Sequence, residues 1–195
     1  MGINADLVGK LREATGIGIM NCKAALIEAD GDLEKAMNVL RKKGLASAKK
    51  RTGRQALEGT IASYIHHGDK IGVLVEINCE TDFVARTDEF KDLARNVAMH
   101  IAATNPSYVS KEDVPCDLVK KEREIYIDQS KGKPEHAIEK IVDGKLEKFF
   151  SQFCLLQQTF IKDSKMSINE YMLSKVAKLG ENIKIRRFTR YQLGG

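Results

Sequence analysis

The sequence lacks tryptophan altogether, contains only three prolines, and spaces its four cysteines far apart. No two cysteines form a C-x-x-C pair and no histidine stands at ligand spacing from one of them, so neither a zinc site nor a disulfide framework is predicted. We expect the cysteines to be small buried hydrophobic side chains. They are Cys22, Cys79, Cys116 and Cys154.

Long apolar runs are also missing, and none approaches the length that crosses a membrane. The N-terminus has no basic segment followed by an apolar one and a cleavage site, and the acidic residues Asp6 and Glu13 argue against a transit peptide. Hydrophobic residues make up 43% of the chain and charged residues 30%, which is typical of a soluble globular protein. The sequence therefore predicts a cytoplasmic protein with no membrane partner.

The signature motifs of common enzymes are absent as well. There is no Walker loop, dinucleotide glycine fingerprint, nucleophile elbow or metal-binding helix motif. Cys79, Glu80 and Asp82 stand close together like a thiol with acids, but neighbouring carboxylates raise the pKa of a thiol and leave less reactive thiolate at neutral pH. We expect no catalytic residue, no cofactor and no metal ion in this chain.

The formal charge of +5 comes from the start of the chain, because residues 1–55 hold eleven Lys and Arg against six Asp and Glu. Residues 44–55 are rich in small and basic side chains and are predicted to form a linker. A basic block binds RNA or an acidic protein surface through counterion release. Since no stacking aromatics or nucleic-acid fold signature accompany it, a solvated linker is favoured over a nucleic-acid site. The block comprises Arg41, Lys42, Lys43, Lys49, Lys50, Arg51 and Arg54.

Ahead of that linker, residues 1–43 are predicted to be a module of three short helices. Asn4 is placed to cap the first helix, with Ile3 and Val8 as a hydrophobic staple, and Asp32 is placed to cap the third. The side chains expected to face the inside of the module are Leu7, Leu11, Ala14, Leu33, Ala36, Met37 and Leu40.

Residues 56–195 are predicted to form an α+β domain with a helical insertion at about 110–165. Ser167 and Glu170 form a capping box that opens a late helix. The strands are expected at 58–66, 71–78 and 182–191, and helices at 87–104 and 110–131 among others. Strands and helices that are grouped, without β-α-β alternation, indicate a three-stranded antiparallel sheet packed with helices.

The most informative stretch is residues 81–86, where the second strand gives way to a helix. It places an acid and an aromatic ring, Asp82 and Phe83, in a short connector between two regular elements. A rigidly held loop of this kind is a common place for function. The alternative at such a junction is that Phe83 packs into the core of its own domain.

Three stretches of the chain resemble bacterial elongation factor Ts, the guanine-nucleotide exchange factor for elongation factor Tu. They are residues 11–26 (LREATGIGIMNCKAAL), 75–86 (VEINCETDFVAR) and 180–187 (GENIKIRR). Together, in this order, they are highly specific, and the resemblance runs nearly end to end. It implies an N-terminal module of the ubiquitin-associated type. It also implies a protein that promotes nucleotide exchange on elongation factor Tu without catalytic chemistry of its own.

The resemblance also implies roles for particular residues. Thr81, Asp82, Phe83 and Val84 match the segment that displaces Mg²⁺ from elongation factor Tu. At the start of the second helix, Ile19 and Met20 match positions that dock on the nucleotide-binding domain of Tu. The alternative is that these two side chains close the bottom of the small three-helix core.

The hairpin followed by a helix occurs once in the sequence, whereas longer members of the family carry two such half-cores. The resemblance to the short form therefore implies a homodimer that binds two molecules of elongation factor Tu. Residues 138–161 are rich in apolar side chains and offer a candidate interface, although burial within one chain explains them almost as well.

Overall fold

The computed structural model of the protein describes residues 4–194, apart from the side chains of Leu45 and Glu135. Its helices are α1 (Ala5–Thr15), α2 (Ile19–Glu28), α3 (Leu33–Arg51), α4 (Asp82–Ala85), α5 (Asp88–Thr104), α6 (Cys116–Asp128), α7 (Glu135–Phe153) and α8 (Ile168–Leu179). Its strands are β1 (Glu58–Ile65), β2 (Ile71–Cys79), β3 (Thr159–Phe160), β4 (Asp163–Ser167) and β5 (Ile183–Gln192). Within the described residues, no helix combines the length and the apolar character needed to cross a membrane.

The first three helices enclose a small core of their own. The Asn4 side chain accepts a hydrogen bond from the Asp6 amide at 3.2 Å, and the Asp32 carboxylate accepts one from the Lys35 amide at 3.0 Å, so both predicted caps are confirmed. The buried side chains are Val8, Leu11, Cys22, Ala25, Leu26, Ala29, Ala36 and Leu40. Ala14 and Met37 were expected inside and are exposed, and Ile3 lies outside the described residues.

Helix α3 does not end before Gly44 as predicted but continues to Arg51, so most of the expected linker is helical. The reason lies in tertiary packing. A Cβ atom at Gly44 would lie 3.2 Å from the Cβ of Ala177 in α8, and Ala48 is fully buried in the main core. Alanine and lysine are good helix formers, and contact with α8 outweighs the cost of one glycine within a helix.

The three-stranded antiparallel sheet is confirmed, with strand order β1-β2-β5. In β2 the alternate residues Val73, Val75 and Ile77 are buried, as their period of two predicts. Helix α5 packs on this face, and its apolar stripe is buried along its whole length. The stripe consists of Phe90, Leu93, Ala94, Val97 and Ile101. Sheet and helices together form the predicted α+β core.

Between α5 and α8 the chain is more broken than predicted. The helix expected at 110–131 is a 3-10 turn, Lys111–Asp113, followed by α6, because Pro115 interrupts it. Cys116, expected to be buried, is exposed at the start of α6, whereas the other cysteines are buried. The hairpin β3-β4 was not predicted, since a two-residue strand leaves no periodic pattern.

The apolar segment 138–161 is used mainly inside the chain. Phe149, Leu155 and Phe160 are buried, and the ring of Phe160 stacks on that of Tyr171 with centroids 4.4 Å apart. Burial within one chain accounts for these three side chains, whereas Phe150 and Phe153 are half-buried and Ile161 is exposed.

Candidate functional site

The segment Thr81–Val84, called the Phe83 loop below, forms the start of the short helix α4. Thr81 is the cap of this helix, and its hydroxyl oxygen accepts a hydrogen bond from the Val84 amide at 3.3 Å. Val84 is 7% exposed and packs in the main core, whereas Phe83 is 80% exposed. The interpretation that Phe83 packs into its own core is therefore wrong. The loop anchors one apolar side chain and presents the next one to solvent.

Asp82 lies beside the exposed ring, at the first position of α4. One of its carboxylate oxygens accepts a hydrogen bond from the guanidinium of Arg86 at 2.6 Å. Both side chains are well exposed, so this pair contributes little stability, and water competes with it. The carboxylate of Asp82 therefore remains accessible next to Phe83.

Two residues that the sequence did not single out support the loop from behind. The Glu181 carboxylate accepts hydrogen bonds from the backbone amides of Glu80 and Thr81, at 3.1 and 3.0 Å, and from the Thr81 hydroxyl at 2.6 Å. In return, the Glu80 carboxylate accepts one from the Asn182 amide at 2.6 Å. Glu181 and Asn182 both belong to the 180–187 motif, but no local pattern in that motif reveals what its side chains contact.

A thiol lies beneath the same loop. Burial, helped by the negative charge of Glu181, raises the pKa of the Cys79 thiol from 9.0 to about 11. The thiol is therefore neutral at physiological pH and donates a hydrogen bond to the carbonyl oxygen of Thr81, at an Sγ to O distance of 3.1 Å. It acts as a structural donor here, and a thiol so hard to ionise is a poor nucleophile.

The second pair of predicted site residues, Ile19 and Met20, forms the N-terminal tip at the start of α2. Ile19 is 52% and Met20 74% exposed, so the alternative that they close the small core is wrong. Gly18 caps α2 through its backbone, without a side-chain hydrogen bond. Ile27, 59% exposed, lies two turns beyond Met20 on the same face of α2 and extends the apolar surface. Helical spacing from Met20 identifies Ile27, which the sequence reasoning missed.

The structure unites the four loop residues in one turn at the edge of the main core and places the N-terminal tip over the separate small core. Among the described residues, no cluster of three or more His, Cys, Asp or Glu side chains could hold a metal ion. A contiguous exposed apolar patch marks a candidate surface for binding another protein. The structure thus defines a class, an α+β protein that presents exposed apolar side chains at two tips.

A family model described as Elongation factor TS matches residues 47–195. The chain belongs to the elongation factor Ts family, a family of translation factors. The protein of that name from Thermotoga maritima is 57% identical over 194 residues, which cover 100% of this chain and 98% of the relative. The Fervidobacterium nodosum protein is 56% identical over 196 residues, which cover 100% of this chain and 100% of the relative. The Carboxydothermus hydrogenoformans protein is 57% identical over 194 residues, which cover 98% of this chain and 89% of the relative.

Proposed function

We propose that this protein is a guanine-nucleotide exchange factor that binds elongation factor Tu in its GDP-bound and nucleotide-free forms. The observation that carries the proposal is the exposed ring of Phe83 on a firmly supported loop, in a chain of the elongation factor Ts family. An exposed aromatic side chain at the end of a rigid element is suited to insertion into a partner, because little conformational freedom is lost on binding.

The mechanism follows from how a GTPase holds its nucleotide. GDP is bound largely through its phosphates and a Mg²⁺ ion, so a partner that disturbs the metal shell weakens nucleotide binding without touching the base. Phe83 inserts near the Mg²⁺ side of the pocket, while Thr81, Asp82 and Val84 position it. Asp82 acts there as a nearby negative charge rather than as a lasting metal ligand, because the factor has to dissociate again.

Exchange then runs through linkage. Whatever free energy the factor removes from nucleotide binding, the nucleotide must remove from factor binding. GDP leaves, GTP enters, and GTP binding displaces the factor. This cycle requires no covalent chemistry from the factor, which accordingly is not an enzyme in its own right and binds no cofactor.

The N-terminal tip serves as the second contact with elongation factor Tu. Ile19 and Met20, together with Ile27, form an exposed apolar face on α2 that fits against a helix of the nucleotide-binding domain. Burying such side chains adds affinity without requiring that they reach the nucleotide.

We further propose a homodimer that binds two molecules of elongation factor Tu and works in the cytoplasm. Helix α5 covers one face of the sheet, and the other face carries exposed apolar side chains on all three strands. They are Ile61 and Ile65 on β1, Leu74 on β2 and Tyr191 on β5. Two copies that pack these faces together bury them, and this surface replaces residues 138–161 as the proposed interface.

Nucleic acid is not proposed as a partner, and part of the basic block is engaged within the chain. Lys43 pairs with Glu28, Arg54 lies 3.6 Å from Glu80, and Arg51 donates to the Ser47 hydroxyl.

The exchange proposal is tested by stopped-flow release of fluorescent GDP from elongation factor Tu. Catalytic amounts of the factor should accelerate release, and an unchanged trace at saturating factor would remove the proposal. The dimer is tested by light scattering, which should give twice the chain mass of 21.8 kDa. Leu74→Lys should shift the mass to that of one chain, whereas Ile125→Lys, on the exposed side of α6, should not.

A further inference from the structure

The Phe83 loop is too small to hold itself in place. Helix α4 has only four residues, far below the length at which an isolated helix is stable in water. Of these residues only Val84 is fully buried in the core and Ala85 packs against it in part, next to an exposed Phe83. The orientation of the ring therefore depends on contacts that reach the loop from other parts of the chain.

Glu181 supplies those contacts through both carboxylate oxygens. Oε2 accepts from the amides of Glu80 and Thr81, and Oε1 accepts the hydroxyl proton of Thr81 at 2.6 Å. Because the hydroxyl donates to Glu181, its lone pairs face the Val84 amide, which donates to it at 3.3 Å. A carboxylate 100 residues away thus fixes the capping geometry of α4, through charge-assisted hydrogen bonds.

The support is reciprocal and extends to α3. The Glu80 carboxylate accepts from the Asn182 amide at 2.6 Å, so each of the two segments bonds the backbone of the other. The Asn182 side chain donates to the carbonyl oxygens of Thr52, at 3.3 Å, and Arg54, at 2.6 Å. These two carbonyls directly follow α3, the helix that begins in the N-terminal module. Glu181 and Asn182 therefore hold the Phe83 loop in a fixed relation to the end of α3.

We infer that Glu181 is a positioning residue for nucleotide exchange. It acts through Phe83 by fixing the cap of α4, and it contacts neither the nucleotide nor the metal ion. This inference rests on the proposed exchange function, but its structural half concerns the free factor alone.

The first test measures amide hydrogen exchange in the free factor by NMR. In Glu181→Ala, the amides of Thr81 and Val84 should exchange at least about tenfold faster, because the Thr81 amide loses its charged acceptor and the Thr81 hydroxyl that caps Val84 is no longer held. The matched control is Glu170→Ala, which removes another carboxylate that caps a helix, by accepting from the Ser167 amide at 2.8 Å, but at the start of α8. Unchanged protection of the loop amides in Glu181→Ala would overturn the inference, whatever elongation factor Tu does.

The second test measures GDP release from elongation factor Tu at a temperature where melting curves show every variant folded. Glu181→Ala should lower the maximal rate about tenfold and change the half-saturating concentration by less than about threefold. Glu181→Gln keeps one acceptor oxygen and should recover part of the rate, and Glu170→Ala should match the wild type. If wild-type factor does not accelerate release, the exchange function fails and the amide measurement alone decides on Glu181.

A double-mutant cycle with Phe83→Ala separates positioning from general loosening. If Glu181 acts through the ring, Glu181→Ala should have almost no further effect in the Phe83→Ala background. An equal loss of rate in both backgrounds would overturn the inference, because the effect would then bypass Phe83.

Discussion

The two exposed apolar tips of this molecule are supported in different ways. Both lie at the start of a helix, and both rest on a buried cysteine whose thiol donates to a backbone carbonyl: Cys22 to Ile17 and Cys79 to Thr81. The N-terminal tip has no side-chain cap and depends on neighbouring residues and a small core. The Phe83 loop is held by Glu181, 100 residues further along the chain.

Under the proposed function, this difference corresponds to two ways of engaging a partner. Locally supported structure opens at low free energy, which suits a docking surface that adjusts to the partner. An element that has to displace a metal ion gains from a fixed geometry, because misplacement of a group by about 1 Å costs on the order of a hundredfold in rate. We expect the N-terminal tip to govern affinity and the Phe83 loop to govern the exchange rate.

The largest effect on stability is expected from Phe90→Ala, in the helix that follows the Phe83 loop. Phe90 is fully buried, so its truncation should lower the free energy of unfolding by about 3 to 5 kcal/mol. Phe83→Ala should change that free energy by less than about 0.5 kcal/mol, because the ring is exposed. Urea denaturation of both variants measures the difference. Comparable losses of stability in the two variants would contradict the assignment of Phe90 as a buried ring and Phe83 as an exposed one.

Exchange should respond in the opposite order. Phe83→Ala should cost about 1.5 to 3 kcal/mol in the exchange transition state, on the order of tenfold to a hundredfold in the rate of GDP release. Stopped-flow measurements on the same protein samples check this. A folded Phe83→Ala variant with the wild-type rate would show that the ring is not the element that acts on the nucleotide site.

Substitutions in the N-terminal tip should weaken binding rather than slow the bound step. Ile19→Ala and Met20→Ala should each weaken the binding free energy for elongation factor Tu by about 1 to 2 kcal/mol. The dissociation constant should then rise roughly fivefold to thirtyfold, with the maximal rate unchanged. Ile125→Ala serves as the control, since Ile125 is exposed on α6, outside both tips. Calorimetry provides the constants. A tip variant that lowers the maximal rate at full saturation would erase the distinction between the two tips.

The smallest effect concerns the thiol beneath the Phe83 loop at alkaline pH. Unfolded Cys79 loses its proton near the ordinary pKa of 9.0, but the folded protein keeps it up to a pKa of about 11. The contribution of the neutral thiol is therefore complete below pH 9 and is lost as the pH rises toward 11. Between these values the stability of the wild type should fall more steeply than that of Cys79→Ala. Parallel urea titrations at pH 8 and pH 10 measure the free energy of unfolding of both proteins. An equal change of this free energy with pH in the two proteins would argue against a proton held by Cys79.

Elements with a complete local pattern were predictable from the sequence. Strand β2 and helix α5 follow from periodicities of 2 and 3.6, and the capping box of Ser167 and Glu170 from its spacing, with Ser167 accepting from the Glu170 amide at 3.2 Å. The extension of α3 depends on contact between Gly44 and α8, which no local pattern contains.

The candidate site divides in the same way. Its position at the junction of β2 and a helix follows from the sequence, but the exposure of Phe83 does not, because a strand-helix junction accommodates a buried ring equally well. Glu181 is invisible to local reasoning, since the groups it contacts are about a hundred residues away and a carboxylate after a helix is ordinarily solvated. Ile27 was within reach, because it repeats the helical position of Met20 after two turns.

The bonds between Glu80, Thr81 and residues 181 and 182 also determine when the loop is completed during synthesis. A ribosome makes Phe83 early and its support late, since Glu181 and strand β5 follow α8. A nascent chain that has emerged only through α7 carries the ring without the carboxylate that orients it. The loop therefore reaches its final geometry only after β5 has paired with β2. An unfinished chain therefore lacks the contacts that orient Phe83 until residues 181 and 182 and strand β5 are in place.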